Sequence, residues 1–245
     1  MIASASQAGC ASCERCGAPI ADDICYACSV AATLSEADAR IGPYALLSEL
    51  DAGGTCTVHI ARREGQDGLF AIKLARESLV QSPEGLAAYR SGLRIQKSLS
   101  RQPNILSIEE IGSHSDGRPY AVMALLDGGT LAERSVRERY LQPEAALALM
   151  LKLTRAVARA HQRGVLHADL KPDNILFDED YEPFISDFGL ARVLGDGAGR
   201  GGATFQGGTS GWMSPEQSTC AELTLASDVF SLGILLYWLA AKWNR

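Results

Sequence analysis

The feature that most constrains this chain is a pair of short polar motifs set between apolar runs. Residues 167–174 (HADLKPDN) place an acid, a base and an amide on one loop, and residues 187–189 (DFG) begin thirteen residues after Asn174. Carboxylate and amide oxygens are the ligands that Mg²⁺ prefers, and a nearby carboxylate can orient an attacking hydroxyl group. The two motifs therefore predict a fold that brings two loops together around a magnesium ion.

Further motifs flank this pair in a fixed order. They comprise a glycine-containing turn, a strand that ends in lysine, an apolar strand that runs into a glycine pair, and two segments after the DFG motif. In chain order these are residues 50–58 (LDAGGTCTV), 71–73 (AIK), 120–129 (YAVMALLDGG), 208–216 (GTSGWMSPE) and 227–233 (SDVFSLG). One such motif alone arises by chance, whereas the whole set in this order almost never does. The set resembles the protein kinase family from about residue 44 to the C-terminus.

Local patterns and this resemblance agree on an α+β fold. Short apolar runs bounded by Gly, Asp or Pro predict strands at 44–50, 55–62, 69–74, 105–111 and 120–125, which would form a small, mostly antiparallel sheet. Longer apolar-periodic runs predict helices at 84–100 and 143–163. The resemblance implies a two-lobed kinase-like fold, in which this sheet and one helix form the N-lobe and the C-lobe is mainly helical.

Composition divides the chain into three stretches. Residues 1–33 are rich in Cys and predict a small zinc-ribbon-like module, residues 34–43 predict a linker, and residues 44–245 predict a kinase domain. Within that domain we expect the N-lobe at about 44–125 and the C-lobe at about 126–245.

The resemblance implies a role for each motif residue. Asp169 would accept or steer the proton of the attacking hydroxyl, and Lys171 would steady the transferring phosphate. Asn174 and Asp187 would hold Mg²⁺, or Mn²⁺ in its place, and Lys73 would bind the α- and β-phosphates. Taken singly, the two acids could be capping or turn residues and Lys73 a solvated lysine. The other residues implied to contact ATP are Gly53, Gly54, Val58, Ala71, Met123, Ala124, Leu126 and Leu176.

Several positions depart from the family pattern. Asp51 and Cys56 stand where the lid over the phosphates usually has its first and third glycines, which allow the backbone to approach phosphate closely. Ala168 replaces the arginine that usually precedes the catalytic acid and pairs with a phosphorylated activation loop. The helix acid that usually pairs with the strand lysine should fall at Gly92 or Leu93, and neither residue is acidic.

Two further departures concern the helix and the C-lobe. Gln96, one helical turn past Gly92, could replace the missing acid only as a weak neutral partner of Lys73. The chain ends at Arg245, so we expect the later C-lobe helices to be missing, together with the arginine that pairs with Glu216 in the family. These departures favour a weak or lost activity, whereas the intact set of motif acids, amide and lysines favours retained transfer.

The N-terminal segment carries a second metal-binding pattern. Cys13 and Cys16, then Cys25 and Cys28, form two pairs, with two residues inside each pair and eight residues between the pairs. This spacing resembles a small zinc ribbon, in which four thiolates hold a structural Zn²⁺. Cys10 continues the spacing and is either a substitute ligand or a spare thiol. The alternative is that the thiols bind no metal. A ribbon of this kind would recruit a protein partner.

Composition also narrows the partners and the location. The net charge of −6 disfavours a nucleic-acid-binding surface, because such surfaces need clustered Lys and Arg. The apolar run at 229–241 is too short to span a membrane. Five of the seven cysteines lie in the first 28 residues, which in a reducing compartment favours metal ligation over disulfides. We therefore expect a cytoplasmic protein with ATP and protein substrates as partners, and neither nucleic acid nor membrane.

Three functions fit these residues. The first is a Ser/Thr protein kinase that transfers the γ-phosphoryl group of Mg-ATP to protein hydroxyls, and Lys171 with Thr209 favours the Ser/Thr branch over the Tyr branch. The second is a degenerate, nucleotide-binding pseudokinase that acts as a regulatory scaffold. The third is a structural adaptor in which the Cys-rich module binds the partner. Of these three functions, only the Ser/Thr protein kinase requires that replacement of Asp169 abolish phosphate labelling of a substrate while ATP binding is kept.

Overall fold

The computed structural model describes residues 40–137, 142–193 and 208–241. The predicted Cys-rich module at 1–33, with its proposed ligands Cys13, Cys16, Cys25 and Cys28, lies outside the described residues, as does the predicted linker up to residue 39.

The chain divides into two compact units. The first combines residues up to Ser78 with Gly112–Leu125, and the second combines Leu79–Ile111 with residues from Leu126 onward. Residues 79–111, which we placed in the N-lobe, therefore group with the second unit. The exact lobe boundaries stay a prediction.

An antiparallel sheet forms the body of the first unit. The strands are β1 (Arg40–Ile41), β2 (Tyr44–Ala52), β3 (Cys56–Arg63), β4 (Phe70–Ala75), β5 (Ile108–Ser113) and β6 (Pro119–Ala124). Their order is β1-β2-β3-β4-β6-β5, and the four pairings that join β1 to β6 are antiparallel. The chain passes from the second unit to the first within β5.

The pattern of buried side chains explains this sheet. Tyr44, Leu46 and Ser48 alternate with more exposed residues along β2, as expected of a strand with one covered face. Ile72 in β4 and Val122 in β6 are fully buried, because both strands lie inside the sheet. The ring of Tyr44 meets that of Phe70 edge-on at 5.6 Å, which closes the apolar core of this unit.

Helices and short strands make up the rest of the described chain. The helices are α1 (Glu77–Val80), α2 (Pro83–Ser98), α3 (Leu131–Arg137), α4 (Pro143–His161), α5 (Pro215–Ser218) and α6 (Leu225–Ala240). The short strands are β7 (Val165–Leu166), β8 (Ile175–Phe177), β9 (Pro183–Ile185) and β10 (Arg192–Val193), paired as β7 with β10 and β8 with β9. Single 3₁₀ turns cover Pro172–Asn174 and Phe188–Leu190.

The core of the second unit lies between α4 and α6. Buried residues recur along α4 at helical spacing, from Ala146 through Leu153 to Ala160. They share one apolar cluster with Leu235 of α6 and Ile175 of β8. The loops that carry the polar motifs are attached to this cluster, so helix packing fixes their positions.

Side-chain caps mark where the long helices α2 and α6 begin. The hydroxyl of Ser82 accepts a hydrogen bond from Gly85 N at 3.1 Å, and Pro83 follows at the first helical position of α2. Thr224 and Ser227 form a capping box at the start of α6. No helix in the described parts of the chain combines the length and hydropathy that crossing a bilayer requires.

The structure confirms the predicted α+β class, with its antiparallel sheet and helices, and corrects one strand. The other four predicted strands and both long helices end within two residues of their observed bounds. The strand predicted at 105–111 begins instead at Ile108. The first residues of the predicted strand pair with the end of β9 instead. Leu106 N donates to Ile185 O at 2.9 Å, and Ile105 forms an isolated bridge with Ile185.

Candidate active site

Asp228, in the first turn of α6, anchors the loop at 167–174. Its carboxylate accepts hydrogen bonds from the backbone N–H groups of His167 and Ala168, each at 2.9 Å, and from Nε2 of His161 at 2.8 Å. The side chain is 1% exposed. Burial raises the pKa of Asp228, but the hydrogen bonds from His161 and from the two backbone N–H groups outweigh it and hold the pKa below its ordinary value of 3.8.

The ring of His167 joins this loop to the DFG segment. Its Nε2 donates to Ser186 O at 2.9 Å, and its Nδ1 accepts from Asp169 N at 3.2 Å. The two partners assign the ring hydrogen to Nε2, since a carbonyl only accepts and a backbone N–H only donates. The same ring packs against Phe188 with a centroid distance of 4.5 Å. Two loops that are distant in sequence are thereby held in one arrangement.

Asp169 lies at the centre of a compact polar group. Its Oδ1 accepts from the hydroxyl of Thr209 at 3.0 Å, and its Oδ2 lies 3.2 Å from Nζ of Lys171. Lys171 also donates to the Thr209 hydroxyl at 2.7 Å. From the sequence, Thr209 is only a marker of the Ser/Thr branch. The structure shows that it closes a three-membered hydrogen-bonded group with the predicted acid and base.

Asn174 and Asp187 occupy neighbouring segments. Asn174 Nδ2 donates to Asp169 O at 2.7 Å and to Asp169 Oδ2 at 3.1 Å, which fixes the orientation of the amide. Ser186 N donates to Asn174 O at 2.9 Å, so the residue directly before Asp187 is hydrogen-bonded to Asn174. Asp187 has a left-handed backbone, with φ 59° and ψ 66°, and its Oδ1 accepts from Gly189 N at 3.2 Å.

These two residues fit Mg²⁺ by the chemistry of their donor atoms. The amide nitrogen of Asn174 is used by Asp169, so its oxygen is the atom that can bind a cation, and a carboxylate offers about four acceptor positions. An amide oxygen with a carboxylate is a donor set that Mg²⁺ takes when phosphates and waters complete its shell. Within residues 40–137, 142–193 and 208–241, no group of three or more His, Cys, Asp or Glu side chains forms a metal site.

Ala168 adopts an uncommon backbone conformation between these contacts. Its φ is 65°, in the left-handed region that non-glycine residues rarely occupy. Its N–H is bound by Asp228, and its carbonyl accepts from Nε2 of Gln217 at 2.7 Å. Both side chains are nearly fully buried, so the loop geometry is enforced from two sides. No motif in the sequence predicts the Gln217 contact.

Glu216 has a partner close by in sequence. Its Oε1 accepts a hydrogen bond from the hydroxyl of Ser227, eleven residues along the chain. That bond has the largest effect on the carboxyl group and holds the pKa of Glu216 below its ordinary value. The carboxylate of Glu216 thus accepts from a hydroxyl in the cap of α6.

Four of the residues predicted to contact ATP lie on one face of the sheet in the first unit. Val58 lies directly opposite Lys73 in the β3–β4 pairing, and Ala71 lies opposite Met123 in the β4–β6 pairing. Because opposite residues of antiparallel strands share a face, and residues two apart do so as well, these four side chains line one face. Ala124 follows at the end of β6, whereas Leu126 and Leu176 belong to the second unit.

The glycine-containing turn between β2 and β3 is held by an arginine that the motifs did not reveal. Arg76 donates through Nε to Gly53 O at 2.6 Å and through its backbone N to Thr55 O at 2.9 Å. Gly53 N donates to Cys56 O at 3.0 Å across the turn. Two residues of this segment depart from the family pattern. Cys56 is buried, whereas Asp51 is exposed and its Oδ1 accepts a hydrogen bond from Ala52 N at 2.8 Å.

Comparison with known proteins agrees with this geometry. The protein kinase domain family matches residues 44–244. The chain belongs to the protein kinase family. Membership in the protein kinases implies ATP and Mg²⁺ as the nucleotide and the metal, and it confirms the family inferred from the motifs.

Several curated protein kinases are similar to this chain. Serine/threonine-protein kinase PrkC of Bacillus subtilis is 33% identical over 196 residues, which are 80% of this chain and 30% of that protein. Serine/threonine-protein kinase PknL of Mycobacterium tuberculosis is 31% identical over 198 residues, 79% of this chain and 48% of PknL. PknB of Mycobacterium leprae is 30% identical over 197 residues, 79% of this chain and 32% of PknB. This protein kinase chain spans less than half the length of these curated relatives.

Proposed function

We propose that this chain is a Ser/Thr protein kinase that transfers the γ-phosphoryl group of Mg-ATP to Ser or Thr hydroxyls of other proteins. One observation supports it above the others. The carboxylate of Asp169 is oriented by Asn174, Lys171 and Thr209 together, all within 3.2 Å. The names of the bacterial relatives, which are serine/threonine-protein kinases, support the same substrate class.

The arrangement suits acceptance of a hydroxyl proton. Asp169 already accepts one aliphatic hydroxyl at Oδ1, that of Thr209, and the second acceptor position of Oδ1 can receive a substrate hydroxyl. Lys171 would place its positive charge beside the transferring phosphate. Asn174 and Asp187 would hold the metal ion, which when bound neutralises charge on the β- and γ-phosphates.

The residues of the first unit would bind the nucleotide. Lys73 would bind the α- and β-phosphates, and Val58, Ala71 and Met123, which share its face of the sheet, would contact the adenine. Gly53 and Gly54 would lie over the phosphates, with their turn held by Arg76. Ala124 and Leu126 would meet the adenine edge through the backbone, and Leu176 would cover its other side.

The proposal predicts both phosphate transfer and a specific loss of nucleotide affinity. Incubation with labelled ATP and Mg²⁺ should transfer the γ-phosphate to casein, with label recovered on Ser and Thr. Lys73→Ala should weaken mant-ATP binding by about 10- to 100-fold, because a hydrogen bond to a charged group contributes about 1.5–3 kcal/mol. Arg63→Ala is the control, since it removes a positive charge from the other face of β3 and should leave mant-ATP affinity unchanged.

A negative result would have a definite meaning. Tight mant-ATP binding that needs no Mg²⁺, with no transfer to casein, would favour a nucleotide-binding pseudokinase, the reading suggested by Asp51, Ala168 and Gly92. Normal mant-ATP affinity in Lys73→Ala would contradict the role of Lys73 in either kind of protein.

We also propose that Cys13, Cys16, Cys25 and Cys28 bind one structural Zn²⁺, on the evidence of their spacing alone. Such a ribbon would serve as a docking module for a protein partner. The cytoplasmic location likewise stays a prediction from the cysteine pattern.

The zinc proposal predicts a fixed metal content. Native mass spectrometry of the full chain should find one zinc per chain, and Cys25→Ser should lose it, because three thiolates and a hydroxyl hold Zn²⁺ far more weakly. Cys220→Ser is the control, since this cysteine lies far from the paired cysteines in sequence. Purified wild-type chain that contains no zinc would overturn the proposal.

A further inference from the structure

Gly92 lies where α2 meets the DFG turn. It is buried in the middle of the helix, on the face that also carries Tyr89 and Gln96. A Cβ atom at Gly92 would lie 2.6 Å from Phe188 O, 3.1 Å from Gly189 Cα and 3.3 Å from Gly189 O. Ordinary contacts of a Cβ atom begin near 3.4 Å. The backbone of the turn therefore occupies the space that a side chain at this helix position would need.

The turn has little freedom to move away. The Phe188 side chain is 2% exposed and packs against the ring of His167. Asp187 holds a left-handed backbone and accepts from Gly189 N, and a Cβ at Gly189 would itself lie 2.9 Å from Asp187 Oδ1. An atom added at Gly92 would push against a backbone that is already fixed on its other side.

The segment after α2 holds the strand that leads into the same turn. Leu106 N donates to Ile185 O at 2.9 Å, and Ile185 N donates to Asn104 O at 2.9 Å. Nε2 of Gln96, in the last turns of the helix, donates to Leu106 O at 3.0 Å and is 3% exposed. The helix thus contacts the DFG segment directly at Gly92 and, through residues 104–106, at the strand just before it.

We propose that Gly92 is a positioning residue, through which α2 holds the backbone of Phe188 and Gly189 and, with it, the carboxylate of Asp187. This inference rests on the proposed function, because it takes Asp187 as a ligand of the magnesium nucleotide. In this chain the helix positions the metal-binding turn by direct backbone contact. An acid at position 92 is not needed for that, and the turn leaves no room for one.

The proposal predicts that Gly92→Glu lowers activity, which is the opposite of what the family resemblance predicts. If the missing helix acid were a simple defect, Gly92→Glu would restore the pair with Lys73 and raise activity. The contact with Phe188 O predicts the opposite, since the new side chain would displace the turn. Gly92→Ala should also perturb the turn, although alanine is ordinarily the more favourable residue inside a helix.

The test compares Gly92→Ala and Gly92→Glu with Gly233→Ala. Gly233 is also inside a helix, and apart from its chain neighbours and the nearby backbone of its own helix, no heavy atom of the described residues lies within 4 Å of a Cβ built there. We expect amide hydrogen exchange at residues 186–190 of the metal-free protein to be about tenfold faster in both Gly92 variants. We also expect the Mg²⁺ concentration for half-maximal mant-ATP binding to rise by about tenfold, whereas mant-ATP affinity without Mg²⁺ stays the same. Gly233→Ala should match the wild type in both measurements.

The exchange measurement separates this inference from the proposed function. If the wild type transfers no phosphate but the Gly92 variants loosen residues 186–190, the positioning contact stands and the kinase proposal fails. If the wild type is active and Gly92→Glu equals or exceeds it, or if exchange at 186–190 is unchanged in both variants, the positioning role of Gly92 is wrong. Cooperative thermal unfolding of each variant checks that the comparison concerns folded protein.

Discussion

Replacing Asp169 with asparagine is expected to lower phosphoryl transfer by about a thousandfold while mant-ATP affinity stays within about twofold of the wild type. The carboxylate accepts from Thr209, Asn174 and Lys171 and would accept the substrate hydroxyl as well. An amide at this position keeps the shape but removes the negative charge and turns one acceptor into a donor. The substrate hydroxyl would then lose the group that orients it and takes its proton.

Single-turnover labelling at saturating Mg-ATP is the measurement, because it separates transfer from nucleotide binding. Asp173→Asn is a matched control, since Asp173 lies four residues away on the same loop, is exposed and undergoes the same change of chemistry. Near-normal transfer by Asp169→Asn would remove the central role given to this residue. Equal losses in both variants would point to a general effect of charge on the loop.

Removal of the Asp228 carboxylate is expected to have the largest effect on stability. Asp228→Ala should lower the free energy of unfolding by about 3–5 kcal/mol, because it leaves the N–H groups of His167 and Ala168 and the ring of His161 without their buried acceptor. Urea unfolding followed by tryptophan fluorescence suits this test, since Trp212 and Trp238 stack edge-on at 5.9 Å in the same unit. A loss below about 1 kcal/mol would contradict the anchoring role.

The pH dependence gives an independent check on Asp228. Its pKa is lower in the folded chain than the ordinary value of 3.8, so its contribution to stability is complete above that value and is lost as pH falls through the folded pKa. Asp228→Asn lacks this contribution at every pH. The difference in stability between wild type and Asp228→Asn should therefore shrink as pH falls below about 4. Comparing these two proteins cancels the stability contributions of Asp116, Glu182 and Glu216, whose pKa values are also lowered, because both proteins contain these acids.

The sequence predicted those parts of the fold and site that local patterns determine. Short apolar runs bounded by turn residues located β2 and β3, and a longer apolar-periodic run between Pro143 and Gly164 located α4. The order of the motifs identified the family that the comparison confirmed. Asp169, Lys171 and Asn174 lie on one loop, so their proximity in the structure follows from their spacing in the sequence.

Long-range contacts account for what the sequence could not show. Ile105 and Leu106 looked like part of a strand because they are apolar, but Ile185, eighty residues away, takes up their pairing. The side chains of Arg76 and Gln217 each donate a hydrogen bond to a distant backbone carbonyl, and such contacts leave no pattern in the sequence. In the sequence, Gly92 indicates only that the helix acid of the family is missing. The position of Phe188 O shows that the helix contacts the backbone of the DFG turn at this residue.

The hydrogen bond between Glu216 and Ser227 has a consequence for assembly. The loop that it closes is only eleven residues long, and the entropy lost on closing a loop rises with its length. A contact made by contiguous chain can form without waiting for distant segments to meet. The segment that ends in Glu216 can therefore be joined to the start of α6 before distant parts of the chain have folded.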